Sequence, residues 1–343
     1  MLLKESHLNY LSKGKPRIVK GKRVFGNSYE TVKGKENELI CYYDYLNKSG
    51  MTGKDMQVSF TIKEKRTSEE FTRKGKRNRG KKVLINPFED CGVSIKYPPM
   101  DGKKIPKLMD MRKSDWELLL EVAEEVTPDI ALGVGMEIMG GLRVGEVVNQ
   151  TINSIRIDGE HKDKLLLSIE DRQIELFESR GVNIYKSQVK KQREDQPVFN
   201  FNGDLFKMLE SHMERLKSMP TVNTKALFVD SSGNAMTGEV YHIRFALLKE
   251  CFLQRLGEKK PSLEKEYRVN YRWGSHIGRH IYTNYLLKTG LCHDSLGTPD
   301  ARILANLRGD KSIYSAMVYI DRMAVIASIQ EKLEELSRLA TEV

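Results

Sequence analysis

Three short motifs, in a fixed order along the chain, constrain its fold and chemistry more than any other feature. They are Gly-Leu-Arg-Val-Gly-Glu at 141–146, His-Ile-Gly-Arg-His at 276–280, and Arg-Gly-Asp at 308–310, with Tyr319 nine residues after the last of these. Each motif is weak alone, because a single arginine or histidine usually lies on a solvated surface. Together they supply Arg143, Arg279 and His276 ahead of a tyrosine. Guanidinium groups bind phosphate oxygens as planar forks, so the set predicts phosphoryl transfer onto Tyr319.

Length and composition bound the class of protein. The 343 residues suffice for two domains, since domains usually span about 100–200 residues. The longest apolar run, residues 130–142, contains Glu137 and is shorter than the ~20 residues of a membrane-spanning helix. The N-terminus lacks the apolar core of a secretory signal, and the four cysteines form no C-x-x-C pair. We therefore expect a cytoplasmic protein that does not contact the membrane, without structural zinc or disulfides.

Positive charge is concentrated in the first third of the chain. Residues 1–105 hold 24 Lys and Arg against 12 Asp and Glu, whereas residues 106–343 hold 33 against 35. The densest basic run lies at 71–82. This division is typical of a basic DNA-binding domain, here residues 1–100, attached to a near-neutral domain over 106–343. A solvated basic surface or a disordered basic arm would give the same charge count.

Hydrophobic periodicity predicts a mostly α (α+β) protein with a small antiparallel sheet. A helix is expected from Tyr29 to Lys48, and the prolines at 98, 99 and 106 indicate a linker between domains. Further helices are predicted over 114–127, 130–139, 205–216, 240–256, 277–288 and 323–339. Strands are predicted over 164–170, 182–185 and 197–199. Ser114 and Ser275 are predicted helix N-caps.

The residues around each arginine favour a buried, anion-binding arrangement. The glycines at 140 and 141 allow a close turn that directs Arg143 inward, and Glu146 is placed to brace the local backbone or a basic neighbour. His276 and Arg279 stand three residues apart, on one helical face near the N-terminus of a helix. Free N–H groups and the helix dipole add to those side chains at such a terminus.

The ordered motifs resemble those of the tyrosine recombinase (phage integrase) family. Arg143 with Glu146 is similar to the family's first motif, and His-x-x-Arg-His at 276–280 is similar to its second. Tyr319 stands where the family has its nucleophile, whereas Tyr314 is too close to the third motif. The similarity covers about residues 80–325, and residues 1–80 match only in charge and helical character.

The third motif departs from the family pattern. The family has Leu-Gly-His nine residues before its tyrosine, and this chain has Arg308-Gly309-Asp310. Asp310 thus removes a hydrogen-bond donor to the phosphate, unless it is protonated or a neighbour such as Lys311 substitutes. The resemblance also implies a catalytic lysine in a β-hairpin turn between the two arginine motifs. Lys186 is the first candidate and Lys190 the second, although most hairpin lysines are solvated.

The resemblance implies a site-specific DNA recombinase, or integrase, of a mobile element. It implies a helical core-binding domain followed by a mainly helical catalytic domain, and cleavage through a 3′-phosphotyrosyl link to Tyr319. Arg143 and Arg279 would hold the phosphate, His276 would assist the tyrosine, and Lys186 would protonate the leaving oxygen. No cofactor, metal or ATP is expected. The implied partners are double-stranded DNA and further copies of the chain, assembled as a tetramer on DNA.

Two other functions stay open at this point. A type IB topoisomerase-like enzyme would share the chemistry but act as a monomer. A DNA-binding regulator with impaired catalysis would fit the departure at Asp310. The C-terminal helix over 323–339 bears on the first alternative, since its apolar face suits docking on a neighbouring protomer. Packing of that face on the chain's own core is equally compatible with the sequence.

Overall fold

The computed structural model describes the chain over two compact units, residues 1–104 and 105–343. The described residues are 16–19, 22–25, 27, 29–51, 62–65, 81–84, 97, 105–158, 163–182, 184–220, 222 and 224–341. The basic run at 71–80 and the prolines at 98 and 99 lie outside them.

The first unit contains one long helix and two short antiparallel pairs among its described residues. Helix α1 (Tyr29–Lys48) has the bounds that the sequence predicts. Strand β1 (Pro16–Val19) pairs with β2 (Lys22–Phe25), and β3 (Ile62–Lys65) pairs with β4 (Lys81–Leu84). The sequence did not predict these four strands.

A buried carboxylate ties α1 to a residue far along the chain. Glu36 is fully buried, and the Tyr97 hydroxyl donates a hydrogen bond to it. Lys33, one turn earlier on the same helix, donates to the same carboxylate at 2.7 Å. A buried charge needs such partners, because desolvation without them is costly. The contact therefore fixes residue 97 against α1.

The second unit is mostly helical with one small sheet. Its longer helices are α2 (Lys113–Val126), α3 (Ala131–Gly140), α6 (Leu205–Ser218), α7 (Gly238–Lys259), α9 (Ile277–Thr289), α10 (Ala301–Arg308) and α11 (Tyr314–Thr341). Its five-residue helices are α4 (Val144–Val148), α5 (Gln173–Phe177) and α8 (Pro261–Lys265). Short 3₁₀ turns lie at Ile152–Ser154, Glu178–Arg180 and Tyr185–Ser187, and a π-helical turn at Glu266–Asn270. The strands are β5 (Ile155–Asp158), β6 (Lys164–Ile169) and β7 (Arg193–Phe199).

The sheet is antiparallel in the order β5-β6-β7. Leu165 pairs with Ile157 on one side and with Val198 on the other. Alternate residues of β6 are fully buried, as the two-residue period of a strand requires when one face packs on a core. The sheet thereby brings the start of β7 to the edge of the helical core.

Helix α3 lies at the centre of the second unit. All ten of its residues are buried, and it packs against α6, α9 and β7. Helix α9 approaches it closely, since a Cβ on Gly278 would lie 2.7 Å from the Cβ of Glu137. Burial raises the pKa of Glu137 well above its ordinary value, and the Tyr241 hydroxyl lies 3.3 Å from its carboxylate. The close α3–α9 packing places Arg279 beside the turn that follows α3.

The predicted fold class, mostly α with a small antiparallel sheet, is confirmed. Three local predictions were wrong. Of the strand predicted over 182–185, the described residues 182, 184 and 185 are not in a strand, and Tyr185 begins the 3₁₀ turn Tyr185–Ser187. Ser114 lies inside α2 rather than at its N-cap, and His276, without a side-chain cap bond, holds the N-cap position predicted for Ser275. Strand β5 and helix α10 were missed, and α11 begins at Tyr314, nine residues before the start of the predicted C-terminal helix 323–339. Among the described helices, none combines the length and apolar character needed to cross a membrane.

Substituting Gly141 should destabilise the second unit far more than substituting an open glycine. Gly141 has φ 65°, and a Cβ there would lie 2.3 Å from the Tyr282 ring. We expect Gly141→Ala to lower the free energy of unfolding by about 2–5 kcal/mol, from left-handed backbone strain and overpacking combined. The matched control is Gly181→Ala, with φ 60° and no atom within 4 Å of the added Cβ. It should cost only about 1–2 kcal/mol. Equal shifts in urea unfolding would contradict the close packing.

Candidate active site

The first motif folds into a turn that holds Arg143 by a buried carboxylate. Gly141 ends α3 in the left-handed conformation, and Arg143 precedes α4. Glu146 is fully buried; it accepts from the Arg143 backbone N–H at 2.9 Å and from the Arg143 guanidinium at 2.9 Å. Glu146 thus binds both the local backbone and a basic side chain, the two contacts that the sequence suggested.

A further arginine shares that carboxylate. Arg193, at the start of β7, donates to the two oxygens of Glu146 at 2.9 and 3.2 Å. Burial alone would raise the pKa of Glu146, but hydrogen bonds and positive charge from Arg193 and Arg143 lower it below its ordinary value. Glu146 therefore stays ionised and orients two guanidinium groups.

Arg279 lies deepest in the site, with 1% of its side chain exposed. Its Nη1 donates to the Gly141 carbonyl and its Nη2 donates to Asp310 Oδ1 at 2.6 Å. Burial, together with the charges of Arg143 and Arg308, lowers the pKa of Arg279 to about 10. The guanidinium is nevertheless protonated at neutral pH, so it adds a buried positive charge beside that of the partly exposed Arg143.

Asp310 is the anion on which the arginines converge. Its Oδ1 accepts from Arg143 Nη2 at 2.8 Å as well as from Arg279 Nη2. Its Oδ2 lies 3.2 Å from Arg308 Nε, without hydrogen-bond geometry. The carboxylate side chain is 4% exposed. The departure from the family motif therefore lies at the centre of the arginine cluster.

Tyr319 lies beside this cluster on α11 and is 6% exposed. Its hydroxyl is hydrogen-bonded to Nδ1 of His280, and the Arg308 guanidinium lies 4.4 Å from the centre of its ring. Burial raises the pKa of Tyr319, while the charges of Arg308 and Arg279 oppose that rise. Tyr314, on the same helix, is 79% exposed. The structure thus places Tyr319, and not Tyr314, against the cationic groups.

The histidine that contacts Tyr319 is His280 rather than His276. The rings of His276 and His280 lie edge to face, with their centres 4.9 Å apart. Burial and surrounding positive charges lower the pKa of His280 to about 3. Part of His276 is open to solvent, yet desolvation and the charges of Arg279 and Arg143 lower its pKa to about 4. Both rings are neutral at pH 7, so His280 Nδ1 accepts a hydrogen bond from the Tyr319 hydroxyl when Nε2 carries the ring proton.

Lys191 contacts the backbone of Asp310. Its Nζ donates to the Asp310 carbonyl at 3.2 Å. Lys186, the first candidate from sequence, instead pairs with Glu239 at 2.8 Å, and Lys190 is exposed. Lys186 as the catalytic lysine stays a prediction, with Lys191 as the candidate that the geometry favours.

Four residues that contact Asp310, Glu146 or Tyr319 were not predicted as site residues from the sequence: Lys191, Arg193, His280 and Arg308. Three carried a usable signal. Arg308 opens the third motif, His280 closes the second, and Arg193 shortly precedes Pro197 on a predicted strand. Nothing in the local sequence distinguishes Lys191 from its neighbours.

A cavity of about 430 Å³ adjoins the two histidines. Its rim carries Lys107 and Arg272, which meet in an isolated parallel β-bridge, and Trp273. A basic, partly apolar cavity beside the cluster suits a nucleotide more than a metal ion. Within the described ranges, no three His, Cys, Asp or Glu side chains are grouped to hold a metal.

Comparison with known proteins finds similarity in structure. No family model and no curated protein matches the sequence. The Tn1549 transposon integrase, solved in complex with circular intermediate DNA, has a TM-score of 0.50 at 14% identity, covering 86% of this chain and 75% of that one. XerH recombinase bound to palindromic difH substrate has a TM-score of 0.49 at 15% identity, covering 89% and 66%. XerA recombinase has a TM-score of 0.42 at 15% identity, covering 68% and 66%.

This chain spans between 57% and 66% of the lengths of the XerA and XerH chains. At such identities the likeness concerns the fold alone. The fold of this protein is similar to that of a transposon integrase of known structure.

Proposed function

We propose that this protein is a site-specific DNA recombinase, or integrase, that cleaves and rejoins DNA through a 3′-phosphotyrosyl intermediate. One observation carries the proposal: the Nη2 atoms of Arg143 and Arg279 converge on a single anionic oxygen beside a buried tyrosine. Two convergent guanidinium groups suit the non-bridging oxygens of a phosphodiester. The likeness in fold to an integrase agrees with this proposal.

The proposed reaction uses Tyr319 as nucleophile. Its oxygen forms a bond to the scissile phosphorus while the bond from phosphorus to the 5′-oxygen breaks. The phenolic proton passes to Nδ1 of His280, which already shares a hydrogen bond with that hydroxyl. Arg143 and Arg279 offset the charge that builds on the non-bridging oxygens. His276 then has a supporting role, through its edge-to-face contact with His280.

A neutral His280 is able to accept a hydrogen bond from Tyr319, but a ring of such low pKa is a weak base in the free protein. Its low pKa of about 3 results from burial and from nearby positive charge. A bound phosphodiester adds negative charge next to these cations, which raises the proton affinity of the ring. The histidine is thus a hydrogen-bond acceptor before the phosphate arrives and a better base afterwards.

The leaving 5′-oxygen needs a proton, and we propose Lys191 as its source. Lys191→Met should lower the cleavage rate by about 10²- to 10⁴-fold, as loss of a general acid does. Lys186→Met should leave the rate unchanged, because Lys186 pairs with Glu239. The rates are measured with a labelled duplex of the protein's own site.

A sulfur leaving group separates proton transfer from structural damage. A thiolate leaves without protonation, so a duplex with sulfur at the 5′ bridging position should restore cleavage by Lys191→Met. Loss of activity in Lys186→Met, with rescue by sulfur, would instead support Lys186 as the general acid.

Double-stranded DNA is the proposed partner. The basic excess of residues 1–105 suits a DNA-binding domain, and residues 106–343 carry the proposed catalytic cluster. Lys107 and Arg272 at the cavity rim extend positive charge from the cluster. They are placed to hold the backbone next to the scissile phosphate.

Assembly on DNA as a tetramer is proposed from α11. Met323 packs against the cluster of buried residues that includes Tyr319. Beyond it, Val325 and Ile329 are 59% and 53% exposed. Exposed apolar side chains in line on a helix suit docking on another protomer. Packing in cis is the alternative for the part of this helix near Met323.

The experiment that tests the proposed function is capture of a covalent adduct. The protein is incubated with nicked duplexes of its own site, which prevent religation, and adducts are resolved under denaturing conditions. An adduct that maps to Tyr319 supports the proposal. DNA binding without an adduct would favour a DNA-binding regulator, which the pairing of Asp310 with both arginines makes a specific rival. Cleavage and relaxation by a protein that stays monomeric on DNA would favour the topoisomerase-like alternative.

A further inference from the structure

Asp310 binds the same guanidinium nitrogens of Arg143 and Arg279 that a phosphate would need. In each arginine, Nη1 is hydrogen-bonded to a group outside Asp310, and Nη2 is directed at Asp310. Nη1 of Arg143 donates to Glu146 at 2.9 Å, and Nη1 of Arg279 donates to the Gly141 carbonyl. Both Nη2 groups donate to Asp310 Oδ1, at 2.8 and 2.6 Å. Nη1 of Arg143 also donates to the Gly309 carbonyl at 3.4 Å. Each arginine therefore keeps an Nη1 partner outside Asp310 if the carboxylate leaves.

A carboxylate and a phosphodiester make the same demands on these groups. Each carries one negative charge at neutral pH, and each accepts charge-assisted hydrogen bonds from guanidinium nitrogens. The hydrogen bonds of the Nη1 atoms fix the direction of the Nη2 atoms. The Nη2 atoms therefore cannot direct the same hydrogen bonds at Asp310 and at a phosphate in the same position. Binding of a phosphate in this geometry requires that Asp310 moves away.

The carboxylate is held incompletely and lies on a short connection. Its Oδ2 is buried and, among the described residues, has no hydrogen-bond partner, although Arg308 Nε is 3.2 Å away. Asp310 stands between α10, which ends at Arg308, and α11, which begins at Tyr314. Gly309, at φ 63°, precedes it. Movement of Asp310 is therefore linked through three residues, 311–313, to the helix that carries Tyr319.

We propose that the Asp310 carboxylate is an internal competitor for the phosphate-binding site formed by Arg143 and Arg279. The incoming phosphate displaces it and thereby shifts the connection to the Tyr319 helix. This inference rests on the proposed function, since it takes the arginine pair as the phosphate site. It assigns to the departure from the family motif a regulatory role: the site is open only to an anion that outcompetes Asp310.

The test measures phosphate binding by full-length Asp310→Asn. The amide keeps the shape of the side chain and removes its charge. Inorganic phosphate is the probe, titrated by calorimetry and by its effect on the thermal unfolding midpoint. The affinity for phosphate should rise about tenfold or more over wild type, because the competing state is removed. The unfolding midpoint should fall without phosphate and recover as phosphate is added.

The matched control is Asp129→Asn. Asp129 also pairs with an arginine, accepting from Arg244 Nε and Nη2 at 2.7 Å each, but none of these groups belongs to the cluster. Its loss should lower stability without changing phosphate affinity. Equal phosphate affinity in wild type and Asp310→Asn overturns the proposal. An unstable Asp310→Asn that phosphate fails to restabilise overturns it as well.

The result does not depend on cleavage. Phosphate binding needs no tyrosine, so the titration is repeated in a Tyr319→Phe background with the same expected outcome. If Asp310→Asn binds phosphate tenfold more tightly but the wild type forms no covalent adduct, the recombinase proposal is contradicted. The proposal that Asp310 competes for the anion site then still holds. An adduct at Tyr319 without a gain would do the reverse.

Discussion

Replacing Tyr319 with phenylalanine should abolish the covalent protein–DNA adduct while leaving DNA binding intact. The substitution removes only the nucleophilic oxygen, so the cleavage rate should fall by on the order of 10³-fold or more. The phenyl ring keeps its packing among the buried hydrophobic residues, and its centre stays 4.4 Å from the Arg308 guanidinium. The measurement is adduct formation on the nicked duplex, with binding followed separately by gel shift.

Stability separates a chemical effect from a folding effect in this variant. The hydroxyl is hydrogen-bonded to His280 and also interacts with Arg308. Its loss should lower the free energy of unfolding by about 1 kcal/mol, which cannot explain the absence of the adduct. Unfolding in urea checks this value.

Tyr314→Phe is the matched control. Tyr314 lies on the same helix and is 79% exposed, so its substitution should change neither adduct formation nor stability. An adduct that persists in Tyr319→Phe and disappears in Tyr314→Phe would refute the assignment of the nucleophile.

Arg279→Lys should reduce cleavage by about 10²- to 10³-fold, the effect of losing one donor to the transition-state charge. Lysine keeps the positive charge but lacks the planar fork. Arg279 uses two nitrogens, one on the Gly141 carbonyl and one on Asp310. A single ammonium cannot reach both positions, so the anion site loses its geometry. Single-turnover cleavage of the same duplex gives the rate.

Arg244→Lys provides the control for loss of an arginine fork. Arg244 donates two hydrogen bonds to Asp129, and neither residue contacts the cluster. The variant should cleave at the wild-type rate. If Arg279→Lys also cleaved at that rate, Arg279 would be a structural residue and the proposed phosphate site would be wrong.

Two of the helices that carry the site, α3 and α9, followed from local sequence, whereas α10 and α11, which carry Arg308 and Tyr319, did not. The bounds of α3 and α9 are close to those predicted, because apolar residues recur with the helical period and because glycines at 141 and 290 end each helix with positive φ. The inward direction of Arg143 and its brace by Glu146 also followed, since residues three apart meet on one turn. These features depend on neighbours within a few residues.

The segment around the candidate lysines did not follow from local sequence. Where the sequence predicts a strand that ends at Tyr185, the structure has the turn Tyr185–Ser187, which distant groups hold. Asn149 Nδ2 donates to the Ser187 carbonyl at 2.6 Å, and the Gly238 N–H donates to Ser187 Oγ at 2.9 Å. These bonds direct Lys186 to Glu239 and bring Lys191 to Asp310. Spacing in sequence cannot show which lysine a distant contact selects.

The choice between the two histidines has a similar origin. His276 and His280 are four residues apart and share a helix face, so periodicity treats them alike. The position of α11 decides that the Tyr319 hydroxyl meets His280.

The fold class, the order of the three motifs and the departure at Asp310 could all be predicted or read from the amino-acid sequence. That this aspartate binds both arginines, across separations of 167 and 31 residues, emerges from the packing of the helices. Helical periodicity arises from contacts within one or two turns, so it carries no information on such distant pairs. The meeting of buried charges depends on how whole helices pack, and here the close α3–α9 packing and the short connection before α11 bring them together.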